Sequence, residues 1–270
     1  MLKDAPLGQS TYYADMYSPH LLYPVPRTLS RDKIGIGNAL PFEGVDIWNA
    51  FEISWLNSKG KPEVALAEFS FPCTSPNIVE SKSFKLYLIS LSQAKFDSYE
   101  SVKQTLQKDL SDVIKAPATV VLYPHSHFSQ HALTEFTGTC IDDIDVEIDT
   151  YLVEPKFLVT HSEKVQETVY TNLFKSNCLV TGQPDWGSVS IHYCGNQIDH
   201  AGLLKFLVSF RNHSGFAEHC VEQIFTSIMA HCKPERLTVY ARYTRRGGLD
   251  INPFRSNFEQ ISVNDRHIRQ

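Results

Sequence analysis

The chain has 270 residues, 42% hydrophobic and 20% charged, which is enough apolar material for one large domain or two of about 130 residues each. With 30 acidic and 25 basic residues its net charge is −5, which argues against a broad nucleic-acid footprint but leaves room for a local basic pocket. No apolar run is long enough to span a bilayer, and the opening M-L-K-D-A-P-L-G-Q-S has no apolar h-region, so neither a membrane anchor nor a secretory signal is expected. The six cysteines, Cys73, Cys140, Cys178, Cys194, Cys220 and Cys232, lie at wide intervals without a C-x-x-C pair. That usage predicts a reduced, cytoplasmic protein.

Residues 1 to about 45 are rich in turn formers around Tyr23-Pro24-Val25-Pro26-Arg27 and are expected to wrap the surface. From Gly44, D-I-W-N-A-F-E-I-S-W-L-N alternates as a half-buried strand does. Asn57-Ser58-Lys59-Gly60 reads as a hairpin turn, and Pro62 to Phe71 as the returning strand, with Val64, Leu66 and Phe69 toward a core. Asp97 to Val113 carries one apolar stripe, Val102, Leu106, Leu110 and Val113, with Asp97 or Ser98 as cap. A β-rich run, Ala118 to Tyr123, follows Pro117.

The second half repeats this order. Leu203 to Phe210 matches Phe84 to Leu91 at an offset near 120, Phe216 matches Phe96, and a helical stripe runs through Val221, Ile224, Phe225 and Ile228. Leu237 to Tyr240 then partners the strand after Pro117. The seam is expected between Cys140 and Lys164, where I-D-D-I-D-V-E-I-D reads as an acidic alternating strand, dividing the chain into units 1–145 and 146–270. Strand pairs followed by helices predict an α+β fold with antiparallel sheets.

Ser176 to Gly187, S-N-C-L-V-T-G-Q-P-D-W-G, sets Cys178 and Asp185 seven residues apart around Gly182 and Pro184. An extended Cys178-Leu179-Val180-Thr181 followed by a bend would bring a thiol nucleophile and a proton-carrying carboxyl group to one centre. Taken alone, the pair also reads as a small buried thiol and a turn aspartate. His125, His127 and His131 lack an accompanying Cys or carboxylate at ligand spacing and are read as a solvated loop, so no metal is expected. Glu80 is either an exposed carboxylate on an edge strand or a bidentate acceptor for adjacent N–H donors of a heterocycle. Glu218, early in a helix, has the same two readings. Tyr243-Thr244-Arg245-Arg246-Gly247-Gly248 places fixed positive charge beside permissive backbone, as a phosphate site or a basic turn. The absence of G-x-G-x-x-G excludes a Rossmann mode of nucleotide binding.

Four segments together carry a resemblance: E-S-K-S-F-K-L-Y from Glu80, K-S-N-C-L-V-T-G-Q-P-D-W-G from Lys175, Y-A-R-Y-T-R-R-G-G-L-D-I-N-P from Tyr240, and P-V-P-R-T-L-S-R-D from Pro24. With them the chain resembles the NADPH-dependent 7-cyano-7-deazaguanine reductases, the nitrile reductases of queuosine biosynthesis, in their long subgroup. The resemblance implies tandem tunnelling-fold (T-fold) units, the architecture of GTP cyclohydrolase I, with helices on one sheet face, and a homodimer. It implies reduction of the nitrile of 7-cyano-7-deazaguanine to 7-aminomethyl-7-deazaguanine with two NADPH, on the route to modified tRNA and without direct nucleic-acid binding.

By the same resemblance Cys178 forms a covalent thioimide and Asp185 donates the proton. Ile78, Val79, Glu80 and Glu218 contact substrate, and Ser81, Lys82, Arg246 and Gly247, with Arg245, contact the cofactor. One departure stands out. The family has F-H-E where this chain reads Phe216-Ala217-Glu218, so Ala217 occupies the substrate-contacting histidine position. His219 lies roughly 200° further around a helix and cannot replace that imidazole; water, His213 or a shifted helix are the alternatives. A purine- or pterin-binding T-fold protein without reductase activity is the rival reading.

Overall fold

The computed structural model describes residues 16–37, 39–130, 132–261 and 264–270. The opening segment that lacks an h-region and His131 lie outside the described residues. Contacts divide the chain into two units. The first holds the chain through Asp32 with Asp46–Ala132 and Arg245–Asp250, and the second holds Lys33–Val45, Leu133–Thr244 and Ile251–Gln270. Both mix helices with mostly antiparallel sheet, an α+β architecture. No helix among the described residues is long and apolar enough to cross a membrane.

The first unit begins with β1 (Pro24–Pro26) and α1 (Thr28–Arg31), followed by the long strand β2 (Glu43–Leu56). The expected turn at Asn57 leads to β3 (Pro62–Pro72). The Asn57 side-chain oxygen accepts from the amides of Lys59 and Lys61 at 3.0 and 3.1 Å, and Gly60 takes φ +79, which is open to glycine at no steric cost. With β5 (Thr119–Pro124) antiparallel to β3, the strand order is β5-β3-β2. The buried face of β3 is Ala65, Ala67, Phe69 and Phe71, whereas Val64 is 42% exposed. The expected set mixed the two faces. Packing of the large rings chooses between them, because Phe71 lies edge-on to Trp48 at 5.6 Å and Phe69 edge-on to Phe84 at 5.0 Å.

β4 (Asn77–Val79) ends after three residues, and α2 (Ser81–Ser90) starts at once. α3 (Tyr99–Ile114) opens on a capping box at Ser98 and ends at Lys115 in the left-handed conformation. Its buried stripe closes on Ile114, four residues after Leu110, in place of Val113. The Tyr87 hydroxyl of α2 donates to Asp109 of α3 at 2.7 Å, and Tyr17 donates to the same carboxylate. The Y-P-V-P-R segment does more than wrap the surface. β1 pairs with β4, and Arg27, only 5% exposed, donates to Asp46 at 2.5 Å and to the Ser75 carbonyl at 3.1 Å.

The second unit contains β6 (Leu133–Thr134), β7 (Thr139–Cys140), β8 (Thr160–Asn177), β9 (Pro184–Ile198), α4 (His200–Val208), α5 (Ala217–His231), β10 (Arg236–Tyr243), β11 (Leu249–Ser256) and β12 (Arg266–His267). Its strands follow the order β11-β10-β9-β8-β7, antiparallel except for the short parallel pairs β7–β8 and β6–β12. I-D-D-I-D-V-E-I-D is not a strand. It runs as irregular chain tied down by Asp142, which accepts from the Thr171 hydroxyl at 2.6 Å and the Asn172 amide at 3.0 Å, while Asp143, Asp145, Glu147 and Asp149 face solvent. The α5 stripe of Val221, Ile224, Phe225 and Ile228 is fully buried.

Glu222 on α5 accepts from Arg255 Nη2 at 2.8 Å and Nε at 3.0 Å, with both side chains out of solvent. Removing one partner of such a pair leaves a buried charge uncompensated. Glu222→Ala is therefore expected to lower the unfolding free energy in urea by about 3–5 kcal/mol, and a loss below about 1 kcal/mol would contradict this reading.

Candidate functional site

The residues singled out from the sequence fall into two sets, one in each unit. Ile78, Val79, Glu80, Ser81, Lys82, Arg246 and Gly247 belong to the first. Cys178, Asp185, Ala217 and Glu218 belong to the second.

In the first set, Glu80 is neither exposed nor on an edge strand. It is 1% exposed and forms the N-cap of α2, its Oε1 accepting from Lys82 N–H at 2.8 Å and its Oε2 from Ser83 N–H at 2.7 Å. Its own amide donates to the Tyr23 carbonyl at 2.9 Å, and the Tyr23 amide donates to Ser83 Oγ at 3.0 Å. The β1 strap therefore fixes the residue from behind. Each carboxylate oxygen keeps a second lone pair, so Glu80 can still accept from a ligand. Ile78 and Val79 are buried beside it, 7% and 2% exposed.

Arg246 and Gly247 lie in a tight turn. The Arg246 amide donates to the Leu249 carbonyl at 2.9 Å, and Gly247 and Gly248 take φ +61 and +78, the positive values that a type I′ turn requires. A Cβ on Gly247 would lie 3.3 Å from Lys85 Cδ, so the bare backbone receives the stem of Lys85 from α2. Arg245 stacks over the Phe51 ring at 4.5 Å. Lys85 was missed in the sequence; its spacing of three from Lys82 on one helix face was the available signal. Because Glu80 already occupies the first amides of α2, a polyanion here would be held by the cationic side chains and the glycine turn, not by the helix end.

In the second set, Cys178 and Asp185 sit at the tip of the β8–β9 hairpin. Ser176 pairs with Asp185 and Asn177 with Pro184. The Cys178 amide donates to the Gln183 carbonyl at 2.8 Å, and the Gly182 amide returns to the Cys178 carbonyl at 3.0 Å. Cys178-Leu179-Val180-Thr181 is thus the turn itself and not an extended run; Gly182, at φ +66, completes it. Cys178 and Asp185 are both half-buried. The hairpin end is pinned on its other side, where the Asn177 amide donates to the His213 carbonyl at 2.8 Å and Gly215 N–H donates to the Asn177 carbonyl at 3.1 Å. Lys175 Nζ donates to Asn177 Oδ1 at 2.7 Å and to the Arg211 carbonyl at 2.6 Å. Burial and the Arg211 charge hold the Lys175 ammonium below its ordinary pKa.

The chain leaves this pin through Gly215 and Phe216 into α5, which puts Ala217 and the 3%-exposed Glu218 in its first turn. A carboxylate there is favoured by the helix dipole. His213 and His219 stand with ring centroids 6.2 Å apart. Burial, with the Lys33 charge, pushes the His213 imidazole pKa down.

Three further residues lie beneath Asp185. Cys220 is fully buried, and burial pushes its thiol up to about 12. The Ser176 and Tyr243 hydroxyls lie against that thiol and against each other, yet neither makes a well-aligned hydrogen bond among the described residues. The position of Ser176 near the end of β8, two residues before Cys178, was the signal in the sequence for one of them; Tyr243 and Cys220 needed the register.

Outside these sets, His125 and His127 are exposed in a short 3₁₀ segment. Among the described residues no group of three His, Cys, Asp or Glu is placed to hold a metal ion.

Two family profiles match the chain. One, described as nitrile reductase, 7-cyano-7-deazaguanine-reductase N-term, covers residues 13–122, and one described as QueF-like protein covers residues 184–261. The NADPH-dependent 7-cyano-7-deazaguanine reductase of Burkholderia thailandensis is 55% identical over 269 residues, 98% of each chain. That of Burkholderia multivorans is 54% identical over the same span, and that of Paraburkholderia phymatum 54% over 258 residues, 95% of this chain and 94% of its own. Matches of this extent, on a chain that presents a cysteine and an aspartate at one hairpin tip and a cationic glycine turn, place it in the family of 7-cyano-7-deazaguanine nitrile reductases.

Proposed function

We propose that this chain reduces the nitrile of 7-cyano-7-deazaguanine to the primary amine 7-aminomethyl-7-deazaguanine with two NADPH, in queuosine biosynthesis. The observation that carries the reading is the hairpin that sets Cys178 and Asp185 at one tip. A nitrile carbon is electrophilic but resists direct reduction. Attack by the Cys178 sulfur converts it to a thioimide, whose C=N bond is more easily reduced, while Asp185 carries the thiol proton to the nitrile nitrogen. NADPH supplies the hydrides when bound; the protein orients the partners and excludes water. Glu80, Ile78 and Val79 receive the deazaguanine, with Glu218 as second acceptor. Ser81, Lys82, Arg245, Arg246 and Gly247 hold the cofactor, and Lys85 joins them because its stem rests on Gly247.

We also assign the chain to the tandem T-fold, with units 1–145 and 146–270, working as a homodimer in the cytoplasm. The repeated order of strand pairs and helix pairs, α2–α3 and α4–α5, supports the duplication. Ala217 favours one rival reading, a protein that binds the purine without reducing it.

Purified protein with the nitrile is expected to oxidise two NADPH per amine formed, and Cys178→Ala to oxidise none. Binding of the nitrile without NADPH oxidation would select the rival. Lys85→Gln is expected to raise KM for NADPH by about tenfold, the loss of one charge-assisted contact, with kcat little changed. An unchanged KM would remove Lys85 from the cofactor set.

A further inference from the structure

We propose that Ser176, Tyr243 and Cys220, reached from solvent at His213, form a proton relay that recharges Asp185 between the two hydride steps. The inference rests on the proposed function and deepens it. Ser176 is the direct cross-strand partner of Asp185, so their side chains share one sheet face with Cβ atoms about 5 Å apart. Tyr243 pairs with Gly187, two residues on from Asp185, and points to the same face. The missing side chain of Gly187 admits the Tyr243 ring, since a Cβ there would lie 3.4 Å from its Cγ and Cδ1. The ring thereby carries its hydroxyl to Ser176 and to the Cys220 thiol. On the far side, a Cβ on Gly215 would meet His213 Nε2 at 2.9 Å and Cys220 Sγ at 3.4 Å, so imidazole and thiol flank one glycine. His213 is half-buried between the exposed Asn212 and Ser214, and its Nε2 is buried without a partner among the described residues. The charged groups acting on this chain of atoms are Asp185 and Glu218 at the thiol and Lys33 at the imidazole.

Three buried polar atoms gather around one thiol, close enough to interact yet without a well-aligned hydrogen bond among the described residues, so their protons are not committed to fixed partners. They suit the passage of protons. In adduct formation the Cys178 proton moves through Asp185 to the nitrile nitrogen as the C–S bond forms, and it returns to sulfur when that bond breaks. No outside proton is used. Each hydride added to carbon, in contrast, is matched by one proton added to nitrogen, and both come from solvent. Ser176 hands its hydroxyl proton to the Asp185 carboxylate and takes one from Tyr243 or Cys220. These are refilled through His213, and the relay is unchanged after each passage.

Tyr243→Phe and Ser176→Ala separate the stages, and neither removes packing bulk near the nucleophile. Without cofactor, both variants are expected to form the Cys178 adduct to the same extent as the unaltered protein, read by intact mass. With NADPH, KM for the nitrile is expected to stay within about twofold while kcat falls by about tenfold or more, with a larger solvent deuterium isotope effect. A smaller fall, or adduct formation that drops in step with kcat, overturns the relay. If the unaltered protein forms no adduct and oxidises no NADPH, the proposed function is refuted and the relay falls with it.

Discussion

The arrangement of the second unit's candidate residues depends on one backbone constraint, the pinning of Asn177. Its amide and carbonyl are both taken by the 213–215 segment, at 2.8 and 3.1 Å, and its side chain accepts from Lys175. A two-stranded hairpin tip held only by its own turn would fray. Held from the side, the tip presents Cys178 as the first residue of a fixed turn and Asp185 as the second residue of β9. The same segment runs straight into α5 and delivers Ala217, Glu218 and Cys220. One pin therefore places Cys178, Asp185 and the residues beneath them.

The first unit solves a different problem, that of holding a buried carboxylate in place. Glu80 is fixed by the two amides it accepts from, by the β1 strap behind it and by the Arg27–Asp46 pair that anchors the strap. Using the carboxylate as a cap satisfies its charge and also consumes the anion-binding end of α2. Positive charge for the phosphate of the proposed cofactor would then come from side chains. Lys85 lying on Gly247, and Arg245 braced on Phe51, are the side chains the proposal assigns to it. The P-V-P-R and E-S-K-S-F-K-L-Y motifs are thus parts of one device. The first holds the strap, and the last residue of the second, Tyr87, locks α2 to Asp109 of α3.

Much of this was legible in the sequence. The Asn57 turn, the Ser98 cap with Val102, Leu106 and Leu110 of α3, and the α5 stripe announce themselves through local chemistry, whereas Cys178 and Asp185 read locally either as a reactive pair or as a small buried thiol and a turn aspartate. What stayed hidden was decided by tertiary packing. Along β3 both faces carry apolar residues, and only the contacts of Phe69 and Phe71 with Phe84 and Trp48 select the inner one. V-E-S-K-S-F-K-L-Y alternates well enough to read as strand, and the helix emerges because Glu80 caps it and Phe84, Tyr87 and Leu88 bury one side. The acidic run after Cys140 has a strand's alternation but no partner ladder among the described residues. Tyr243 and Cys220 could not be placed near Asp185 without the register of three strands and the position of α5.

The central claim is that Cys178 attacks the nitrile carbon. The most direct measurement is proteolytic mapping by tandem mass spectrometry after incubation with 7-cyano-7-deazaguanine and no NADPH. The account predicts a mass gain of one nitrile molecule on the peptide containing Cys178, lost in Cys178→Ala. An unmodified Cys178 peptide, or the same gain on another cysteine, would contradict it.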